Sequence, residues 1–120
     1  MNNYILEKRT TESIFYDIDC TNLLDTNETI SSITSVTSDQ TGLTLSNQAV
    51  NTSPVTFSDG VIAGIGKVIS IYISAGIIPT GSINQIYTIR PVFSTSEGNV
   101  REATVLLNVT NNPMQLGRIL

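Results

Sequence analysis

The sequence predicts an all-β fold built as a two-sheet sandwich, and three observations carry the prediction. Ile, Val and Thr supply 41 of the 120 residues against four Ala, a mixture that pleated strands favour and helices disfavour. Apolar and polar residues alternate in several short runs, which is the period of a half-buried strand. Clusters of Gly, Asn, Asp and Pro separate these runs and mark turns. With 40% hydrophobic residues in 12.9 kDa, the chain holds enough material for one core and one domain.

Taken in order, residues 1–11 mix charge with Tyr4, Ile5 and Leu6 and read as an N-terminal arm. From Glu12 to Asp19, Ile14, Tyr16 and Ile18 share one parity, which makes a first strand. Asn22 to Asn27 reads as a loop that carries Leu23 and Leu24 as a hydrophobic plug. Glu28 to Thr37 reads as a second strand, with Ile30, Ser32, Thr34 and Val36 on one face and Ile33 on the other. After the turn cluster Asp39–Gly42, Leu43 and Leu45 mark a short third strand, and Val55 with Phe57 a fourth.

Val61 to Ile78 is the most apolar stretch, but Lys67 interrupts it and Gly64, Gly66 and Gly76 punctuate it. Within it Ile69, Ile71 and Ile73 alternate with Ser70, Tyr72 and Ser74, as in a half-buried strand and unlike a lipid-facing helix. A fifth strand therefore runs from Lys67 to Ser74, and a Gly- and Pro-bearing loop follows from Ala75 to Ser82. Gln85–Thr95 and Val100–Val109 form a hairpin, with Gly98 placed where the turn needs positive φ. Pro91 lacks an N–H and so implies an edge position or a bulge. Seven short strands at this spacing give an immunoglobulin-like sandwich over residues 12–110. Residues 111–120 leave it as a C-terminal arm that carries Met114, Leu116, Ile119 and Leu120.

Composition excludes most chemistry. There is no His, no Trp and a single Cys, Cys20, which has no partner for an internal disulfide and no His as a base; it reads as a small buried side chain. Six scattered cations in a chain of net charge −4 form no basic stripe, so nucleic acid is not an expected partner, and neither is a membrane. Nothing at the N-terminus has the order of a signal peptide. Gly64-Ile65-Gly66-Lys67 resembles a phosphate loop but lacks its first Gly and its Ser or Thr, and reads as a turn. Asp17, Asp19 and Asp25 could in principle hold Ca²⁺, yet they read as solvated carboxylates because no loop offers alternating oxygen ligands. The triplets at Asn27, Asn51 and Asn108 that match a glycosylation site are expected by chance in a chain so rich in Asn, Ser and Thr. The expectation is a non-enzymatic protein with no catalytic, cofactor or metal residues.

The order of motifs in the second half is informative as a whole. It comprises Val68–Ser74, Gly76 and Gly81, Ile86-Tyr-Thr-Ile-Arg90, Phe93-Ser-Thr-Ser-Glu-Gly98 and Arg101–Val109. In the first half Tyr16-Asp-Ile-Asp19, Leu23-Leu24-Asp25 and Glu28-Thr29-Ile30 agree. Over residues 12–110 the chain resembles the small immunoglobulin-like structural proteins of tailed bacteriophages, the fibre–tail adaptors. It departs from them in offering Cys20 or Leu24, and Tyr72, where the family frequently has Trp. The resemblance implies a virion location and a mechanical role, joining tail or neck to fibre or tailspike proteins, with capsid decoration as the alternative.

Partners would be other virion proteins and further copies of the chain. The apolar ends are the expected attachment points, with Tyr4, Ile5 and Leu6 at one terminus and Met114, Leu116, Ile119 and Leu120 at the other. A carbohydrate-binding module would need exposed aromatics. Of the aromatics, Phe15, Tyr16, Phe57, Tyr72, Tyr87 and Phe93 fall at strand positions that core packing explains, leaving Tyr4.

Overall fold

The structure, a computed structural model, describes residues 5–111. Ten strands and one 3-10 turn, Thr21–Leu23, make up its regular structure: β1 (Ile5–Lys8), β2 (Ile14–Asp19), β3 (Ile30–Ser38), β4 (Leu43–Val50), β5 (Val55–Thr56), β6 (Ile62–Ala63), β7 (Val68–Ala75), β8 (Asn84–Thr95), β9 (Val100–Glu102) and β10 (Val105–Thr110). One sheet runs β1-β10-β8-β3, with β9 also on β8; the second runs β2-β7-β4; β5 and β6 form a small separate hairpin. The two larger sheets share one core. Ile69, Ile71 and Ile73 of β7 meet Tyr87, Ile89 and Phe93 of β8 and Leu107 and Val109 of β10 there, all essentially without solvent contact. The chain is an all-β sandwich, as its alternation predicts.

All seven expected strands are present. The last is divided into β9 and β10, and β1 and β6 are additional. The division falls opposite Pro91. Ile89 pairs with Val105 and Val92 with Glu102, so Pro91 faces Ala103. Its carbonyl accepts the Ala103 N–H at 2.9 Å, but it has no N–H to return. β8 is therefore an interior strand, and the proline is tolerated where its neighbour's ladder is interrupted; neither an edge nor a bulge in β8 is involved.

β3 departs from simple alternation. Its register against β8 shifts between Ile30 and Ser32 and again between Ile33 and Ser35. These irregularities bring Ile30, Ile33 and Val36 to the core, although strict alternation places Ile33 opposite the other two. β4 is longer than expected and is irregular as well, with Asn47 at φ 54° and a register shift between Ser46 and Ala49. The β8–β9 turn fits its prediction: Thr95 N–H donates to Asn99 C=O at 2.8 Å across a three-residue loop, and Gly98 stands at φ 83°.

The arm expected over residues 1–11 is corrected in its described part, which starts at Ile5. Ile5–Lys8 form β1, parallel to β10 with Ile5 opposite Leu106 and Lys8 opposite Val109. Leu6 packs against the core, and Lys8 is 1% exposed. The Lys8 ammonium is satisfied by main-chain carbonyls, donating to Arg9 O at 2.7 Å and to Ala75 O. Burial lowers its pKa below the usual lysine value, and nearby Glu12 opposes that shift. The Tyr16 hydroxyl donates to Glu7 O at 2.6 Å and ties β2 to β1. At the other end Asn111 exchanges hydrogen bonds with Thr10.

Candidate functional site

A broad concavity opens between the edges of the two sheets, with a volume of about 1130 Å³. Ile5 and Leu6 of β1, Ile18 of β2, Val61 and Ile62 of the β5–β6 hairpin and Leu106 of β10 give it an apolar floor and walls. Several of these side chains are open to solvent, Ile62 at 67% and Ile5 at 51%. Asp17, Asp19, Asp59 and Glu102 also line the groove, and no cation does among the described residues. Glu102 faces Arg90 at 3.5 Å on the outer side of the sheet.

Both edges that flank the groove lack a second strand partner among the described residues: there β2 pairs with β7 alone, and β9 with β8 alone. Because β1 begins opposite Leu106, the outer side of residues 100–105 has no strand partner among the described residues. An edge of this kind offers N–H and C=O groups for strand addition.

Of the residues expected to bind partners, Ile5 and Leu6 line this groove. Tyr4, Met114, Leu116, Ile119 and Leu120 lie outside the described residues. Leu23 sits on the groove wall, while Leu24, its companion in the expected plug, packs on the core. The groove has no sequence signature of its own, because its walls come from four separate segments.

The carboxylates group differently from expectation. Asp17 and Asp19, on the exposed parity of β2, stand at the groove's rim, and Asp19 accepts from the Thr21 N–H at 3.0 Å and the Thr21 hydroxyl at 2.5 Å. Asp25 instead meets Glu28 and Glu97, their oxygens within 4.8 Å of one another. Glu28 has no exposed surface. It accepts from the Thr95 hydroxyl, the Asp25 N–H at 2.9 Å and the Asn99 amide at 2.8 Å. These bonds, led by that from Thr95, hold its pKa down to about 2. Glu97 is shifted upward by its hydrogen bond with Asp25, by burial and by the charge of Glu28. Glu28 thus acts as a structural hub that fastens the β8–β9 turn to the loop before β3. Its place at the start of a strand gave no hint of this.

Other candidate residues resolve into structural roles. Cys20 is 1% exposed, and burial with nearby Asp19 pushes its thiol up to about 12, so it is a packed side chain and a poor nucleophile. Lys67 donates to Thr26 O at 3.3 Å and Glu28 O at 2.8 Å, which commits the one cation of the phosphate-loop look-alike. Gly66, at φ 81°, could not carry a Cβ without approaching Thr29 to 2.8 Å. The Asn51 side-chain nitrogen, the atom a glycan would take, donates to Ser53 O at 2.9 Å and Gly64 O at 2.8 Å.

The core reading of the aromatics is overturned for Phe15 and Tyr72. Phe15 is 55% exposed, and it pairs with Tyr72 on the outer face of the β2–β7–β4 sheet, centroids 4.7 Å apart and planes at 52°. Phe15 takes the outward parity of β2 while Ile14, Tyr16 and Ile18 take the inward one, so core packing does not account for it.

The sequence matches no protein-family model and no curated protein.

Proposed function

We propose that this chain is a non-enzymatic structural protein of a tailed bacteriophage virion, an immunoglobulin-like adaptor that joins tail or neck to fibre or tailspike proteins. The observation that carries the reading is the apolar groove with two flanking strand edges that no other described strand covers, set in a sandwich whose remaining polar surface is largely uncharged Ser, Thr and Asn. An enzyme pocket needs convergent acid, base or nucleophile groups. This groove offers apolar side chains and carboxylates, with strand edges beside it that no other described strand covers, which suit the docking of an extended protein segment. Tyr4, Ile5 and Leu6 at one end and Met114, Leu116, Ile119 and Leu120 at the other are the proposed contact residues.

The test is mass spectrometry of purified particles of the phage that encodes the chain, with its copy number set against the major capsid protein. A low, ring-like number supports the adaptor. A number comparable with the capsid protein selects capsid decoration, and absence from the particle discards both. Truncations that probe the ends must stop at residues 1–4 and 112–120, because β1 and buried Lys8 belong to the sandwich. Loss of incorporation in both truncations with folding retained is the expected result; normal incorporation of both overturns the attachment role of the ends.

A second reading, a carbohydrate-binding module, is favoured by the exposed Phe15–Tyr72 pair, since an outward ring can stack on a sugar face. A glycan array decides it: binding that Phe15→Ala abolishes supports this reading, and no binding removes it.

A further inference from the structure

We infer that the outer face of the β2–β7–β4 sheet binds a neutral glycan, with one pyranose ring stacked on Phe15. The inference deepens the second of the two readings above by naming the class of ligand and its contacts, and it does not rest on the adaptor reading.

The register sets the side chains of this face in rows. Phe15, Tyr72 and Ser46 stand opposite one another across the three strands. Asp17 with Ser70 makes the next row on one side, and Ser74 with Thr44 the next on the other. At the spacing of strands and of alternate residues, the three rows cover an area about 10 Å across and 14 Å along. These positions lie within regular strands, away from both ends of the described chain.

Phe15 is 55% exposed, although β2 has an inward face that takes apolar side chains. Its ring meets Tyr72 with the planes at 52°, so the pair forms a notch, and Phe15, the more exposed of the two, presents the surface for stacking. The polar groups around the pair are uncommitted. The side chains of the two flanking rows, with Ser46 and the Tyr72 hydroxyl, make no hydrogen bond to any described residue, and none of their polar atoms is shut off from solvent. Elsewhere comparable groups are engaged: Asp19 accepts from Thr21, Ser31 donates to Ser94 O and Ser38 to Gln40 O.

This combination suits a sugar. The C–H face of a pyranose packs on an aromatic ring, and its hydroxyls exchange hydrogen bonds with carboxylate and hydroxyl groups beside that ring. Asp17 is the one charged side chain in the three rows. With an acid and no cation there, the face disfavours a polyanionic glycan and accepts a neutral one. Rings whose hydroxyls are all equatorial present the flattest C–H faces, so gluco-configured chains are the class of ligand.

The experiment is an NMR titration of the full chain with cellotetraose and with chitotetraose, and with oligogalacturonate as the acidic control. Either neutral ligand should move the backbone amide signals of Phe15, Asp17, Ser70 and Tyr72 and leave those of Leu23 and Ile62, in the groove, in place. Phe15→Ala should weaken binding by at least about tenfold. Phe15→Trp should strengthen it through the larger ring, and Tyr72→Phe should weaken it by removing a hydroxyl while the ring pair persists. Circular dichroism verifies folding of each variant. A pair that only braces β2 against β7 would leave all three variants alike toward the ligands.

No shift with either neutral ligand at about 10 mM, where even contacts weaker than millimolar populate, overturns the inference. So do shifts confined to the groove, or undiminished binding by Phe15→Ala. Binding of oligogalacturonate without binding of the neutral ligands refutes the neutral-glycan face while a carbohydrate-binding module stands. Failure of the adaptor reading looks different: the chain would be missing from particles with the titration unchanged.

Discussion

Replacing Asn51 by Ala should destabilise the sandwich far more than a half-buried polar residue ordinarily does. Asn51 follows β4, and its side chain organises the loop that leads into the central strand β7. Oδ1 accepts the N–H groups of Gly66, Lys67 and Val68, each at 3.0 Å, and Nδ2 donates to Ser53 O and Gly64 O. At about 0.5–1.5 kcal/mol net per bond, five bonds set an upper bound that the structure itself reduces. Gly66 N–H keeps the Asn51 carbonyl at 3.2 Å, Lys67 N–H keeps Gly64 O at 3.3 Å, and exposed Ser53 can turn to water. Val68 is fully buried, and its N–H would lose its acceptor, which by itself costs about 1–3 kcal/mol. The expected loss is therefore about 2–4 kcal/mol in all, with weakening of the remaining bonds included. Urea titration should show a lower midpoint with an unchanged slope, and hydrogen exchange at the Val68 amide should accelerate more than elsewhere in β7. Asn51→Asp should fall between Ala and the native protein, because it keeps the three accepting bonds while setting a carboxylate against the Ser53 and Gly64 carbonyls. A loss below about 1 kcal/mol for Asn51→Ala, within the range of an ordinary surface change, would refute the reasoning.

Three further predictions follow from buried polar groups. The Tyr87 hydroxyl accepts from Ile77 N–H and donates to Ile77 C=O, both at 2.9 Å, so Tyr87→Phe should cost about 1–3 kcal/mol in chemical denaturation; an unchanged midpoint would show that water replaces the hydroxyl. Glu28 titrates near 4.5 when unfolded and about 2 when folded. The unfolded chain therefore takes up the proton first, and the stabilisation is complete above about pH 4.5 and lost as pH falls toward about 2. Glu28→Gln should flatten that segment of a plot of melting temperature against pH, and a slope equal to the native one would contradict the assignment. Cys20, buried and with its thiol raised to about 12, should react with an aromatic disulfide reagent at pH 8 only as fast as the chain unfolds. Immediate labelling of the native protein would exclude the packing described.

Strands whose two neighbours are regular were legible from sequence. Ile69, Ile71 and Ile73 declare β7, and Tyr87, Ile89 and Phe93 declare β8, because alternation is a local property set by one strand and one buried face. Gly98 was legible for the same reason, since a turn needs positive φ whatever lies around it. β1 was not, because Glu7-Lys8-Arg9 reads as a solvated run. The carbonyls of Arg9 and of Ala75, the second 67 residues away, make the burial of Lys8 tolerable. Nor were the two shifts in β3, which arise from fitting its residues to β8 and have no mark in the run Ile-Ser-Ser-Ile-Thr-Ser-Val.

The candidate site divides in the same way. Its apolar contributors Ile5 and Leu6 could be singled out as exceptions to a polar chain, while Ile62, Asp59 and Leu106 could not. By itself the sequence determined the class of fold, the principal strands and the poverty of catalytic groups, because composition and period two are written residue by residue. The tertiary structure alone decided that β1 joins β10 and that Glu28 fastens a distant turn. It also set β2 and the β9–β10 edge on either side of an apolar groove. Pairings and grooves of this kind are made by segments far apart in the chain, and their energy exists only once those segments meet.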